Sequence, residues 1–357
     1  LNEVPDFFSD PLGIGQKILR WYEKNPRTLP WRELWKKNQD PWQIWVSEIM
    51  LQQTVIKAVI PVYQRFLKQY PGVKELAKAD EEEIRLAVRG LGYYRRFALL
   101  HKAAVHLTQN KLDFPQDFEG WKALPGVGDY TAAAISSICF KYPVAVVDGN
   151  VERVLCRLLD WRVAPNDPKL KKYFRILCHH LLPVGAKNHP GNFNQGIMEL
   201  GQTVCTSSPD CEACPVKDSC HSYRNKSQHL APAAKIKKAN IELDLNITIA
   251  ARGTKIALYK RPVDAKFLKN TWGFLTEIRQ GRNFAFDGGA VMASAKSNVI
   301  GKIKHNITNH KLNITVKATK SQGQIELEKK WVATDEVESL LVSNLDRKAW
   351  TLMQKNL

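Results

Sequence analysis

The chain has 357 residues, with 53 lysines and arginines against 35 aspartates and glutamates and a formal net charge of +18. Its 44% hydrophobic and 25% charged residues are those of a globular protein, which excludes a disordered chain, and no apolar run approaches the ~20 residues that span a bilayer. So large a positive excess attracts polyanions, with an affinity that falls steeply with salt.

The length favours two domains or more. Leu1 to Lys17 carries acids where a basic leader segment would stand and has no apolar stretch, so it does not read as a secretory signal. Thiols in a chain without an export signal predict an intracellular setting, cytoplasmic or in the nucleoid, with no membrane partner. Nothing in the sequence demands more than a monomer.

From Pro11 to about Tyr223 apolar residues recur three and four apart, which predicts an all-α domain. Ile49, Met50, Ile56, Val59, Ile60 and Tyr63 show the spacing. The polar triplet Gln52-Gln53-Thr54 interrupts it and predicts two helices joined by a tight turn, with Thr54 as the N-cap of the second. Glu48 sits among Trp45, Val46, Ile49 and Met50, where a carboxylate is costly unless it is paired or functional.

Leu124-Pro-Gly-Val-Gly-Asp-Tyr-Thr131 places a Gly-x-Gly turn before an alanine-rich helix. Gly126, Val127 and Gly128 can aim backbone N–H groups at a phosphate there, although a plain helix-helix corner looks the same. Downstream, Val144-Ala-Val-Val-Asp148-Gly149-Asn150-Val151 ends an apolar run with a carboxylate. Asp148 is either a capping residue or a partly desolvated anion facing a cleft. Two carboxylates in apolar settings, one protonated and one ionised, are what cleaves glycosidic bonds through oxocarbenium-like transition states.

Cys205, Cys211, Cys214 and Cys220 follow a C-x5-C-x2-C-x5-C pattern. It suits a thiolate cage for an iron-sulfur cluster; structural zinc is the alternative, but four-thiolate zinc sites usually present two CxxC pairs. A disulfide framework is less suited to a chain that can bury its own core. Cys139, Cys156 and Cys178 read as core.

Residues 224–240 lose periodicity and gather Ser, Pro, Ala and Lys, as an exposed interdomain linker does. Beyond it, alternating stretches at Glu242–Ile249, Lys255–Tyr259, Lys311–Thr319 and Ile325–Val332 predict a small sheet. Thr334 to Asn356 predicts a closing helix with Val337, Leu340, Leu341 and Leu345 on one face, which makes residues 241–357 an α+β domain.

The run LPGVGDYTAAAI, the following VDGNV and the four cysteines, in that order, resemble the endonuclease III superfamily of helix-hairpin-helix DNA glycosylases. SEIMLQQT, LPWR, LGYYRR and FNQGIMELGQTVC are similar to its adenine DNA glycosylase branch. The resemblance implies a helical catalytic domain over residues 1–223, with the hairpin at about 122–140 and a 4Fe-4S cluster held at 205–220. It implies that Glu48 protonates adenine, that Asp148 stabilises the sugar cation, and that Tyr130 and Asn150 hold that carboxylate. Arg27, Leu29, Trp31 and Gln195 would line the pocket for a flipped adenine. Gln53 and Tyr93 would wedge the duplex open, with Thr54 and Leu91 beside them.

Bifunctional members carry a lysine where Tyr130 stands; a phenol forms no Schiff base, so a monofunctional hydrolase is expected. The second domain resembles the Nudix-related module that reads 8-oxoguanine opposite adenine, with Ile307-Thr308-Asn309 where that module has Phe-Ser-His. Between Glu277 and His305 only Glu277 and Asp287 could serve Mg2+, so nucleotide hydrolysis is not expected. The partner implied is double-stranded DNA holding an A:8-oxoguanine or A:G mispair. The rivals are an endonuclease III-like pyrimidine-damage glycosylase with lyase activity, opposed by Tyr130, and a noncatalytic iron-sulfur DNA-binding protein, which leaves Glu48 and Asp148 unexplained.

Overall fold

Contacts divide the chain into two units, Leu1–Lys78 with Arg95–Ile236, and Ala79–Tyr94 with Lys237–Leu357. The structure, a computed structural model, describes residues 8–164, 167–183, 189–234, 239–287, 297–320 and 327–356.

The first unit is helical. In chain order it holds α1 (Pro11–Lys24), α2 (Pro30–Asn38), α3 (Pro41–Leu51), α4 (Ile56–Gln69) and α5 (Val73–Ala77). A short α6 (Glu81–Ala87) belongs to the second unit, and the first resumes with α7 (Arg95–Gln109), α8 (Phe118–Lys122), α9 (Asp129–Phe140) and α10 (Gly149–Leu158). It closes with α11 (Lys171–Leu181), α12 (Pro190–Thr203) and α13 (His221–Arg224). Proline stands in the first turn of α1, α2, α3 and α12, where its missing N–H costs nothing and its fixed φ favours the helix. Asp10 and Asp40 cap α1 and α3 by accepting from Gly13 N and Trp42 N.

Helix α3 is buried from Trp42 to Met50, as a helix apolar on every side must be. It packs on α2, α4 and α9, and its Trp45 meets Trp42 and Trp121 edge-on at 5.8 and 5.2 Å between ring centroids. Helix α12 crosses α9 at Gly191, where an added Cβ would come within 2.5 Å of the Ile138 Cα. Close approach of these two backbones therefore requires glycine. The three outlying cysteines differ little from expectation: Cys156 and Cys178 are buried and Cys139 is half-buried.

Thr54 does not cap α4, whose N-cap is Val55 without a side-chain bond. The Thr54 hydroxyl is turned back on the preceding turn, donating to Gln52 O at 3.2 Å. In the stretch read as a linker, residues 225–234 are laid on the helical unit: Ser227 Oγ donates to Asp160 Oδ1 at 2.6 Å and the buried Ala231 accepts from Arg157 Nε at 2.9 Å. Residues 235–238 lie outside the described residues.

The second unit is built on strands β1 (Ile241–Arg252), β2 (Lys255–Lys260), β3 (Trp272–Gly273), β4 (Leu275–Gln280), β5 (Asn283–Phe286), β6 (Asn298–Ile307), β7 (His310–Thr319) and β8 (Lys329–Ala333). The order β6-β7-β1-β4-β5 makes one sheet, with β7 parallel to β1 and the other pairs antiparallel. The last residues of β1 turn into β2, which pairs with β3 and β8. Ile247, Leu258, Ile314, Val316 and Trp350 lie in its core.

The single closing helix expected over Thr334–Asn356 is two, α14 (Val337–Leu340) and α15 (Asn344–Gln354). Ser343 divides them because its Oγ accepts from Asp346 N, an N-cap inside the apolar pattern. Of the strand expected at Ile325–Val332, residues 325 and 326 lie outside the described residues. Among the described residues no helix is long and apolar enough to cross a membrane.

Candidate active site

A cavity of about 570 Å³ opens between α2, α3, α9, α10 and α12 of the helical unit. Glu48, Asp148, Tyr130, Asn150, Arg27, Leu29, Trp31, Gln195, Gln53 and Thr54 all line it. The sequence scatters these residues from Arg27 to Gln195; the helix packing gathers them around one space. A larger cavity of about 860 Å³ borders α9 and α11, but neither Glu48 nor Asp148 lines it.

Glu48 is 6% exposed on the buried helix α3. Burial pushes its carboxyl up to about 7, and the nearby Asp148 adds to the rise; a hydrogen bond from Tyr130 and the Arg32 charge oppose it. The Tyr130 hydroxyl donates to Glu48 Oε2 at 2.8 Å and lies 3.3 Å from the Met198 sulfur. Tyr130 itself is pushed well above the usual phenol range, by burial first and then by Glu48 and Asp148, so it remains a donor.

Asp148 is the N-cap of α10 and accepts from Asn150 N at 2.9 Å and Val151 N at 2.8 Å. Its second oxygen accepts from Asn150 Nδ2 at 2.8 Å, and Asn150 Oδ1 in turn accepts from Arg153 Nη2 at 3.1 Å. Capping and facing the cleft, offered as alternatives by the sequence, are therefore both true of this carboxylate. Burial makes Glu48 keep its proton to higher pH than an exposed glutamate does. The two carboxyl groups, one buried and one capping a helix, thus line a common cavity.

Several wall residues carried no expectation from the sequence. Arg32, Glu199, Met198 and Gln202 line the cavity. Arg32 Nη1 pairs with Glu199 Oε2 at 2.7 Å and its Nε donates to Gln195 Oε1 at 2.9 Å. Glu199 also accepts from Arg27 N at 3.1 Å, and Arg27 Nη2 donates to Gln202 Oε1 at 2.7 Å. One buried glutamate thus fixes two arginines. The helical spacing of Gln195, Glu199 and Gln202 on α12 is the signal that could have found this wall.

In the hairpin before α9, Gly126 takes φ +78°, and an added Cβ there would meet Leu99 Cβ at 2.4 Å. The Val127 N–H donates to Leu124 O at 3.1 Å, inside the turn. Gly128 is the N-cap of α9.

Residues 46–179 match the family model of the HhH-GPD superfamily base excision DNA repair proteins. The adenine DNA glycosylase of Buchnera aphidicola subsp. Baizongia pistaciae (strain Bp) is 32% identical over 303 residues, covering 84% of each chain. The chain belongs to the adenine DNA glycosylase family. Similar relatives are the adenine DNA glycosylases of Arabidopsis thaliana, 32% identical over 78% of this chain, and Mus musculus, 40% identical over 60%. The chain spans about half of these two relatives, 50% and 43% of their lengths. Among solved structures, a thermostable thymine-DNA glycosylase overlays 60% of this chain and 97% of its own, with a TM-score of 0.53 and 27% identity.

In this adenine DNA glycosylase family member the four clustered cysteines are half-buried and free of disulfides. Burial raises the Cys214 thiol to about 12, with Cys205, Cys220 and Cys211 adding to the rise, and Cys220 feels Cys205 and Cys211 in the same way. The four sulfurs therefore share one locale. Among the described residues no three His, Cys, Asp or Glu draw together as ligands of a single metal ion. The buried Arg157 donates to Cys205 Sγ at 3.4 Å, and Gln228 Nε2 donates to Cys211 Sγ at 3.7 Å.

In the second unit the exposed Thr308 and the half-buried Asn309 form the tip of the β6–β7 hairpin, closed by the Ile307–His310 pair. Thr308 takes φ +54°, which a β-branched side chain disfavours, and its hydroxyl donates to Ile307 O at 2.7 Å. Leu91 is buried in that unit, and Tyr93 is 52% exposed at φ +49°. Asp287 accepts from Lys266 N at 2.6 Å and Glu277 from Asn246 Nδ2 at 3.3 Å, so both acids weighed for Mg2+ are engaged within the fold.

Proposed function

We propose that this chain is a monofunctional glycosylase that hydrolyses the N-glycosidic bond of adenine mispaired with 8-oxoguanine or guanine in duplex DNA. The observation that carries the reading is the Glu48 carboxyl, raised by burial to about 7 and bonded to Tyr130, in one cavity with the helix-capping carboxylate of Asp148. The extruded adenine enters between Leu29, Trp31 and the Arg27–Arg32–Glu199–Gln195 wall. Glu48 gives its proton to the base, and the C1′–N9 bond breaks with its electron pair leaving on the neutral adenine. Asp148 faces the cation left on the sugar, and a water adds to C1′ while the Glu48 carboxylate takes the released proton. The products are free adenine and an abasic site with its strand intact.

A 4Fe-4S cluster is proposed at Cys205, Cys211, Cys214 and Cys220. The four thiols lie close enough to act on one another, as the ligands of one group must. Arg157 and Gln228 supply the hydrogen bonds to sulfur that such a group needs. Its part is to brace the loop from Thr206 to Ser219 against DNA. Cys211→Ser is expected to lose the brown absorbance and duplex affinity together, checked by visible absorption and filter binding. A colourless wild-type protein containing zinc would contradict the assignment.

The second unit is proposed as the Nudix-like module that reads the opposite base, with the strained Thr308-Asn309 tip as its contact. The test is single-turnover release from duplexes carrying adenine opposite 8-oxoguanine, guanine or cytosine, followed by alkali. Release opposite 8-oxoguanine should be fastest, and strands should break only after alkali. Equal rates opposite 8-oxoguanine and guanine would refute the discrimination; scission at neutral pH without alkali would favour the lyase.

Tyr130→Phe removes the hydrogen bond that holds the Glu48 carboxyl down. Its pKa then moves above about 7, and the high-pH fall of the release rate should move upward with it. An unshifted limb would detach Tyr130 from the proton donor.

A further inference from the structure

The turn between α3 and α4 is held by a residue that neither its chemistry nor its position in sequence suggests. Gln53 lies at φ +56°, the left-handed region, without being glycine. Its side chain is exposed at the rim of the cavity, and Val55 beside it is 71% exposed. Arg96, at the start of α7, is 7% exposed. Its Nη1 donates to Gln52 O and its Nη2 donates to Thr54 Oγ1 at 2.9 Å, so the guanidinium grips both residues flanking Gln53. From the other side Gln52 Nε2 donates to Thr131 Oγ1 on α9 at 3.3 Å.

We propose that Arg96 is a positioning residue that locks Gln53 in its left-handed conformation, so that its side chain stands at the cavity mouth as the group replacing the extruded base. The Gln52 carbonyl belongs to the peptide plane whose rotation sets the Gln53 φ. Pinning that oxygen together with Thr54 fixes both sides of the residue. Without the fork the turn relaxes to negative φ, and the Cα–Cβ bond of Gln53 swings away from the duplex. The planar guanidinium spans two acceptors at once, which a lysine ammonium cannot do in the same geometry. Glutamine supplies donor and acceptor to a base left without its partner.

The inference rests on the proposed base extrusion, and its test separates the two. 2-Aminopurine replaces the target adenine in a duplex, and the Glu48→Gln protein serves as a background that binds without cleaving. Binding by this background should brighten the probe as the base unstacks. Adding Arg96→Met should cut the saturating fluorescence rise by about threefold or more while anisotropy still reports binding. Arg96→Lys should fall between, and Arg96→Met should cost nothing further once Gln53 is alanine. Should Arg96→Met fail to fold, Thr54→Val removes one arm of the grip and should give the same loss in smaller measure. No brightening by the background would overturn base extrusion and this inference together. A full rise in both Arg96→Met and Thr54→Val, or losses that add to that of Gln53→Ala, would overturn the inference alone.

Discussion

Replacing Glu48 by glutamine is expected to slow single-turnover adenine release by about 10²- to 10⁴-fold, the usual worth of a positioned general acid. Glutamine keeps the volume and an acceptor for the Tyr130 hydroxyl, so the cavity should persist and only the transferable proton is lost. The same substitution has a stability signature of opposite sign. The folded Glu48 titrates at about 7 against 4.5 when unperturbed, so the native state holds more protons than the unfolded one between those values. Stability from this group is therefore complete below pH 4.5 and is lost as pH rises to about 7, by about 3 kcal/mol. Glutamine carries no such loss. Urea denaturation at pH 5 and pH 8 should show the variant gaining on wild type as pH rises, while its activity stays low throughout. A variant equally active, or destabilised more at pH 8 than at pH 5, would remove Glu48 from its assigned place.

The second large effect is expected at Asp148→Asn, a loss of about 10²- to 10³-fold in release rate, comparable to removing one preorganised electrostatic group. Asparagine caps helices as well as aspartate does, so the bonds from Asn150 N and Val151 N can remain. The cost to the fold lies in the second oxygen, which becomes an amide opposing Asn150 Nδ2. If Asn150 turned its own amide round, its NH2 would face Arg153 Nη2. One mismatched hydrogen bond costs about 1 kcal/mol. Activity should therefore fall far more than stability. A melting temperature that falls while activity survives would make Asp148 a cap and nothing more.

Some of this site is legible in the sequence because the signals are local. An acid inside a helix that is apolar on every side marks Glu48, a Val-Asp-Gly-Asn stretch marks a capped helix start, and cysteine spacing marks a cage. Of the arginine wall only the Gln195-Glu199-Gln202 face is legible in that way; its pairing with Arg27, 172 positions from Glu199, follows from no periodicity. Thr54 departs from the cap its sequence position predicts for a similar reason: its hydroxyl accepts from Arg96, 42 residues on. In the second unit Ser343 splits one apolar pattern into two helices, a local signal hidden within a longer periodic run. Segment 79–94 is the clearest non-local case. It joins the second unit through contacts such as Trp272 Nε1 donating to Glu82 Oε2 at 2.8 Å, across 190 positions of sequence.

The pH dependence of single-turnover adenine release tests the central assignment most directly, because it reads the proton on Glu48 during the reaction. With burial holding that carboxyl at about 7, the wild-type rate should be flat below this value and fall tenfold per pH unit well above it, and Glu48→Gln should be slow at every pH. A wild-type rate constant from pH 6 to pH 9, or one that rises across that range, would contradict Glu48 as the proton donor.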